Sequence, residues 1–260
     1  MHLVNGAIAG YGHIGMTHAE NVRNNLRAEL CATCSEEKGW PSIESLGVIF
    51  YDDWQALLDA ETIEGLDAVV IATPTFTHAG FAWMAIEKGL HVFLEKPMEF
   101  ALETYTAIVL IAWFTGWVPA RVFGIVKRLF HDDIDTEDAG MVCITYENGV
   151  VASIDPSWNR PAAFPTWGDL TMTLCGTKQT FAIDMFNQVL NVHSNLTAPG
   201  TTWSTSGTDS DAEMLSTFVA AIVNDPPPPV SGENGLHALK IAIMAMKQAK
   251  TGSRWSGKLW

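Results

Sequence analysis

Val4-Asn5-Gly6-Ala7-Ile8-Ala9-Gly10-Tyr11-Gly12-His13-Ile14-Gly15 is the stretch on which the fold turns. Val4 to Ala9 reads as a strand ending at Gly10, and a helix follows from about Gly12 to Asn25. Between them Gly10-Tyr11-Gly12-His13-Ile14-Gly15 fits G-x-G-x-x-G in a strand–turn–helix setting. Glycines there permit the tight turn and let backbone approach a pyrophosphate, which then rests on the helix N-terminus. The stretch points to a dinucleotide-binding unit.

The neighbouring sequence keeps the same rhythm. A second strand is expected over Ala28 to Cys34, and a short helix over Trp54 to Ala60. Leu66 to Ala72 is apolar on both faces, as a central parallel strand should be. Thr77 to Lys88 reads as a helix stopped by Gly89, and Leu90 to Leu94 as another buried strand. Alternating strands and helices imply a doubly wound parallel sheet with right-handed crossovers. After residue 100 the pattern changes. A helix is expected from about Leu102 to Thr115 and a strand over Arg121 to Leu129. Met141 to Tyr146, Asn148-Gly149 and Val150 to Ile154 form an antiparallel hairpin, with Asn-Gly signalling a primed turn. Leu170 to Leu174 and Thr180 to Ile183 add strands to an open sheet. Ser210-Asp211-Ala212-Glu213 reads as a capping box for a helix that Pro226 to Pro229 end, and a last helix spans about Leu236 to Lys250. The expected fold is α/β: a Rossmann domain over residues 1–118, then a reduced α+β domain over 119–260 with an open, mostly antiparallel sheet.

Composition narrows the partners. Fifteen Lys plus Arg against 29 Asp plus Glu leave a net charge of −14 over 260 residues. That argues against nucleic acid, which needs a cationic face, and against an anionic membrane surface. The longest apolar run, Ala107 to Phe114, is too short to span a bilayer. Four cysteines make no disulfide scaffold, and Cys31 and Cys34 stand three apart on a strand, facing opposite sides. No metal site is expected, and the compartment expected is the reduced cytoplasm. His131 with Asp132, Asp133 and Asp135 reads as a solvated loop.

The residue ending the second strand discriminates between NAD and NADP, because an acidic side chain there binds the ribose 2′-hydroxyl and repels a 2′-phosphate. Here it is Ser35, followed by Glu36, Glu37 and Lys38. Ser35 and Lys38 suit the phosphate and Glu36 suits the hydroxyl, so both cofactors stay open.

Two further motifs specify a family. Asp67-Ala68-Val69-Val70-Ile71-Ala72-Thr73-Pro74-Thr75, with His78 beyond it, is one, and Gly89-Leu90-His91-Val92-Phe93-Leu94-Glu95-Lys96-Pro97-Met98 is the other. Together with Gly10 to Gly15 and His18, they resemble the glucose–fructose oxidoreductase / inositol dehydrogenase (Gfo/Idh/MocA) family. The resemblance resumes from about Trp113, through Glu137-Asp138-Ala139 and Gly176-Thr177-Lys178, to Ala238–Gly252. It implies hydride transfer between NAD or NADP and a secondary alcohol of a sugar, inositol or related polyol. Lys96 inherits contact with the reacting hydroxyl, in an acid–base role. Glu95 inherits the nicotinamide ribose or carboxamide, and Pro97 fixes the turn that aims Lys96. The cofactor set is Gly10, Tyr11, Gly12, His13, Ile14, Gly15, Ser35, Thr73, Pro74, Thr75, His78, Glu95, Lys96 and Pro97. Association into a homo-oligomer through the second domain's sheet is also implied.

The sequence departs from the family after Glu95-Lys96-Pro97. Counting back from Trp113-Phe114-Thr115-Gly116, the family's catalytic histidine falls on Thr106 and its aspartate on Val109. Neither side chain titrates near neutrality. The segment joining Pro97 to this helix is also short, as though an internal block were absent. Two alternatives to an active dehydrogenase follow: a dinucleotide-binding protein without turnover, and a family member that cleaves glycosides through transient oxidation by bound NAD. His131, His193 and His237 could be proposed as substitutes for the lost pair, but His131 reads as part of a solvated turn and the isolated His193 and His237 as structural histidines. Trp158, Trp167 and Trp203 suit sugar stacking, core packing and subunit contacts equally.

Overall fold

The computed structural model describes residues 3–36, 46–96, 108, 111–112, 115–133, 135, 137–158, 160, 170–184, 189–194, 200–205, 209–251 and 255–256. Five parallel strands form the first sheet: β1 (Val4–Ala9), β2 (Ala28–Cys34), β3 (Ile49–Tyr51), β4 (Ala68–Ile71) and β5 (His91–Leu94). Their spatial order is β3-β2-β1-β4-β5. The strands stay parallel, but the order in which they are added to the sheet reverses between β1 and β4, the switch point at which doubly wound sheets bind ligands. Register does the rest. Tyr51, Cys34, Ala9, Ile71 and Leu94 lie in one row across the sheet. The residues just beyond them, including Ser35, Gly10, Ala72 and Glu95, consequently share one edge.

Helices cover both faces. α1 (His13–Asn24) packs on one, while α2 (Trp54–Asp59) and α3 (His78–Glu87) pack on the other. A short 3-10 turn, Thr75–Thr77, leads into α3. On the α2–α3 face, Leu57, Leu58 and Ala85 close on Ala7, Ala9, Ala32, Val69 and Ile71, and Trp54 stacks on Phe81 at 4.9 Å. On the α1 face, Ile8, Leu30 and Val70 meet Ala19 and Val22 together with Leu215 of α4 (Ser210–Asn224). Thus α4 belongs by sequence to the second half of the chain and by packing to the first sheet. Burying Leu215, 1% exposed, stabilises that contact by roughly 1.5–3 kcal/mol.

The second sheet is antiparallel. It contains β6 (Pro119–Lys127), β7 (Ala139–Tyr146), β8 (Val151–Ile154) and, at the far edge, the two-residue strand Trp255–Ser256 beside β6. One face packs on α5 (Gly232–Thr251) through Val122, Val142, Ile144, Ile241, Ala242 and Ala245. The α5 backbone comes so close that a Cβ on Gly124 would lie 2.6 Å from the Ala245 carbonyl oxygen. The Gly124 N–H donates to Gln248 Oε1 of α5 at 2.6 Å, in place of a neighbouring strand. The opposite face exposes Phe123, Ile125, Met141 and Val151.

Several expectations are corrected in detail. The hairpin turn is not of the primed kind, since Asn148 has no positive φ and only Gly149 does, at 85°. Gly149 N–H donates to Tyr146 O and Tyr146 N–H to Val150 O, giving a three-residue loop with glycine at its left-handed position. The cap of α4 is Asp209, whose carboxylate accepts from the Asp211 and Ala212 amides, rather than Ser210. Thr171–Cys175 and Thr180–Asp184 pair with each other in a separate ribbon instead of joining the second sheet. Another ribbon, Val189–Ser194 with Gly200–Thr205, was not anticipated, nor was β3. Of the expected helix over 102–115, Ile108, Ile111, Ala112 and Thr115 are helical; Thr106 and Val109 lie outside the described residues.

Candidate active site

The three glycines of the Gly10–Gly15 loop have different duties. Gly10 carries φ +87, and a Cβ there would sit 2.6 Å from the Ala72 carbonyl oxygen. A Cβ on Gly15 would collide with the Gly10 carbonyl oxygen. Both serve the protein's own turn. A Cβ on Gly12 would meet no protein atom within 4 Å. Gly12 is the N-cap of α1, and no side chain caps that helix end. An open cradle of backbone amides at a positive helix terminus fits a diphosphate. Tyr11 is buried in the core, whereas His13 and Ile14 are exposed beside the cradle.

Strand ends arrange the remainder. Gly10 N–H donates to Cys34 O, Ala72 N–H to Ala9 O and Glu95 N–H to Ile71 O, which extends the ladder past the strand termini. Ser35 stands on the β2 side of the cradle, with Thr73, Pro74 and Thr75 after β4 on the other side. His78, 1% exposed, hydrogen-bonds through Nε2 to Thr73 O at 2.9 Å, and Thr73 and Thr77 hydroxyls pair at 2.6 Å. The imidazole therefore braces the Thr73 turn from within. Pro97 lies outside the described residues.

Glu95 and Lys96 follow β5, with the Lys96 side chain exposed. The Glu95 carboxylate is held by two donors. His18 Nε2–H donates to Oε1 at 2.7 Å, and the Lys96 amide donates to Oε2 at 3.1 Å. Burial pushes the Glu95 carboxyl up, but these hydrogen bonds and the nearby Lys96 charge outweigh it, and it ionises below the usual carboxylate range. His18 had no role assigned from sequence. Its signal was helical spacing: Gly15, His18, Ala19 and Val22 form the buried stripe of α1.

Elsewhere, burial raises the Cys34 thiol to about 12 and also raises Cys31, so neither is a reactive thiolate. His131 bonds through Nε2 to Trp158 O at 3.0 Å, and its backbone amide donates to Asp138. Among the described residues no group of three or more His, Cys, Asp or Glu could hold a metal ion, and no helix is long and apolar enough to cross a membrane.

Comparison with known proteins identifies the family and the fold. Residues 4–116 match the model of an oxidoreductase family with an NAD-binding Rossmann fold, and residues 107–182 match the GFO/IDH/MocA C-terminal domain. The chain belongs to the GFO/IDH/MocA oxidoreductase family. Over 107 residues, 39% of this chain, it is 35% identical to scyllo-inositol 2-dehydrogenase (NAD(+)) of Bacillus subtilis, spanning 30% of that relative's length. Its fold resembles the crystal structure of myo-inositol 2-dehydrogenase from Lactobacillus plantarum, with a TM-score of 0.80 at 19% identity over 98% of this chain and 99% of that one. It also resembles scyllo-inositol dehydrogenase from Lactobacillus casei with bound NAD(H) and scyllo-inositol, with a TM-score of 0.77 at 18% identity over 98% and 99% of the two chains.

Proposed function

We propose that this chain binds a nicotinamide dinucleotide across the ends of β2, β1, β4 and β5, and exchanges hydride slowly with a secondary alcohol of an inositol, sugar or related polyol. The open cradle at Gly12, with Glu95 and Lys96 two strands away, carries this reading. The diphosphate rests on the α1 N-terminus, the adenosine half lies toward Ser35, and the nicotinamide half lies toward Thr73 and Glu95. When bound, the nicotinamide supplies the hydride acceptor or donor. Lys96 takes the proton from the substrate hydroxyl during oxidation and returns it during reduction. Two relatives named as inositol dehydrogenases support trying inositols first as substrates.

Turnover is weak because Lys96 acts without the family's second acid–base pair, whose positions fall on Thr106 and Val109. A positioned general base is typically worth about 10²–10⁴-fold in rate. Titrating the chain with NAD and NADP by calorimetry, then following the reduced-cofactor absorbance with a panel of inositols and sugars, tests both halves of the proposal. Micromolar dinucleotide binding with slow, Lys96-dependent turnover is expected. Fast turnover that survives Lys96→Ala would refute the assignment of Lys96.

The exposed Phe123, Ile125, Met141 and Val151 make the second sheet's open face a self-association surface in this reading. Sedimentation of Ile125→Lys against the parent chain tests it, with dissociation to a smaller species expected. Free cysteines and a strongly acidic surface suit a reduced, cytoplasmic setting.

A further inference from the structure

We propose that His18 is a positioning residue for the nicotinamide half of the bound dinucleotide, acting through Glu95. The inference rests on the reading that a dinucleotide lies across this sheet edge. His18 is 1% exposed, and its Nε2 is 2.7 Å from Glu95 Oε1. An ionised carboxylate only accepts, so Nε2 carries the proton and donates it. Nδ1 is buried with no hydrogen-bond partner among the described residues. All of the ring's hydrogen bonding there is therefore committed to Glu95.

The ring is also locked by packing. Phe93 of β5 meets it edge to face, centroids 5.2 Å apart, and Phe218 of α4 meets Phe93 in the same manner at 5.4 Å. One Glu95 oxygen bonds His18 and the other bonds the Lys96 amide, so the carboxylate plane and the start of the Lys96 segment are set together. His18 stands three residues after Gly15 in the helix whose N-terminus forms the diphosphate cradle. One short, buried link thus ties the diphosphate end of the site to its reactive corner. A link of this kind has no bearing on the adenosine half, which lies toward β2.

The test compares NADH with ADP, which has the diphosphate and adenosine but neither the nicotinamide nor its ribose. Affinities for both are measured by calorimetry on the parent chain, His18→Gln, His18→Asn and His18→Leu, with thermal melts to verify folding. The glutamine amide reaches near the position of Nε2 and retains the donor, while asparagine is polar but too short. NADH affinity is expected to fall about tenfold or more in His18→Asn and His18→Leu, the equivalent of one charge-assisted hydrogen bond. It should stay within about threefold in His18→Gln, and ADP affinity should hold in every folded variant. Should His18→Leu fail to fold, the Gln–Asn pair decides. Equal losses for the two ligands, equal behaviour of Gln and Asn, or no loss at all would overturn the proposal. A parent chain that binds ADP but not NADH would also overturn it, leaving the cradle intact. A parent chain that binds neither would remove the dinucleotide reading and this inference with it.

Discussion

Replacing the glycines of the Gly10–Gly15 loop one at a time separates the needs of the fold from the needs of the ligand. At Gly15 a methyl group collides with the Gly10 carbonyl, which cannot retreat because Gly10 is pinned between Cys34 O and the Ala72 backbone. Overpacking against backbone of this sort costs about 3 kcal/mol. For a chain of this size that lowers Tm by roughly 6–12 °C. At Gly12 the methyl meets no protein atom within 4 Å. Losing glycine at an N-cap costs up to about 1 kcal/mol, partly offset by a stiffer unfolded chain. Gly12→Ala should therefore melt within about 4 °C of the parent. Its cost falls on the ligand. Displacing one amide–phosphate hydrogen bond forfeits about 1.5–3 kcal/mol, or roughly 10- to 100-fold in dinucleotide affinity. Gly12→Val should bind nothing measurable. Calorimetry and differential scanning on the same preparations provide both readouts. Full dinucleotide affinity in Gly12→Val, or a Gly12→Ala protein as unstable as Gly15→Ala, would show that the cradle is not where the backbone places it.

Three further outcomes are expected. Ser35→Asp, at the β2 end of the cradle, should shift the NADP-to-NAD affinity ratio toward NAD by 2′-phosphate repulsion, and an unchanged ratio would remove Ser35 from the ribose. Gln248→Leu leaves the buried Gly124 N–H without an acceptor, so urea denaturation should show a loss of about 1–3 kcal/mol, and no change would deny that bond a structural role. Asp138 is 3% exposed; burial alone would raise its carboxyl, but the Leu129, His131 and Phe130 amides hold it below the usual carboxylate range. Its contribution to stability is therefore full above the unfolded carboxylate pKa and lost as pH falls through the lowered one, so Asp138→Asn should flatten the acid limb of a stability–pH profile.

What could be read in advance was whatever rests on local pattern. Ala68–Ile71 is a central strand whose side chains are all apolar and buried, Val4–Ala9 is buried at Val4 and from Ala7 onward, and both stood out. The glycine loop was legible because its three glycines fall within one short local stretch, Gly10 to Gly15. Ile49–Tyr51 is only three residues long, too short for any periodicity to register, and its strand character comes from pairing with Ala32–Cys34. Asp209 took the cap one residue before Ser210 because a carboxylate reaches two amides at once. The His18–Glu95 bond joins residues 77 apart, and only the sheet register brings them together. No reading of either motif alone pairs them.

The packing of α4 on the first sheet also governs the order in which the chain can fold. Ile8, Leu30 and Val70 form one wall of that core, and Leu215 is a part of its roof. A ribosome that has delivered only the first hundred residues exposes a sheet face that awaits a segment translated some hundred residues later. At about 5–20 residues per second, that face stays open for seconds. Closing it joins positions roughly two hundred apart, the kind of contact that slows folding most. Until α4 arrives, α1 covers that face only in part, and truncation before Ser210 should yield aggregation rather than a smaller soluble domain.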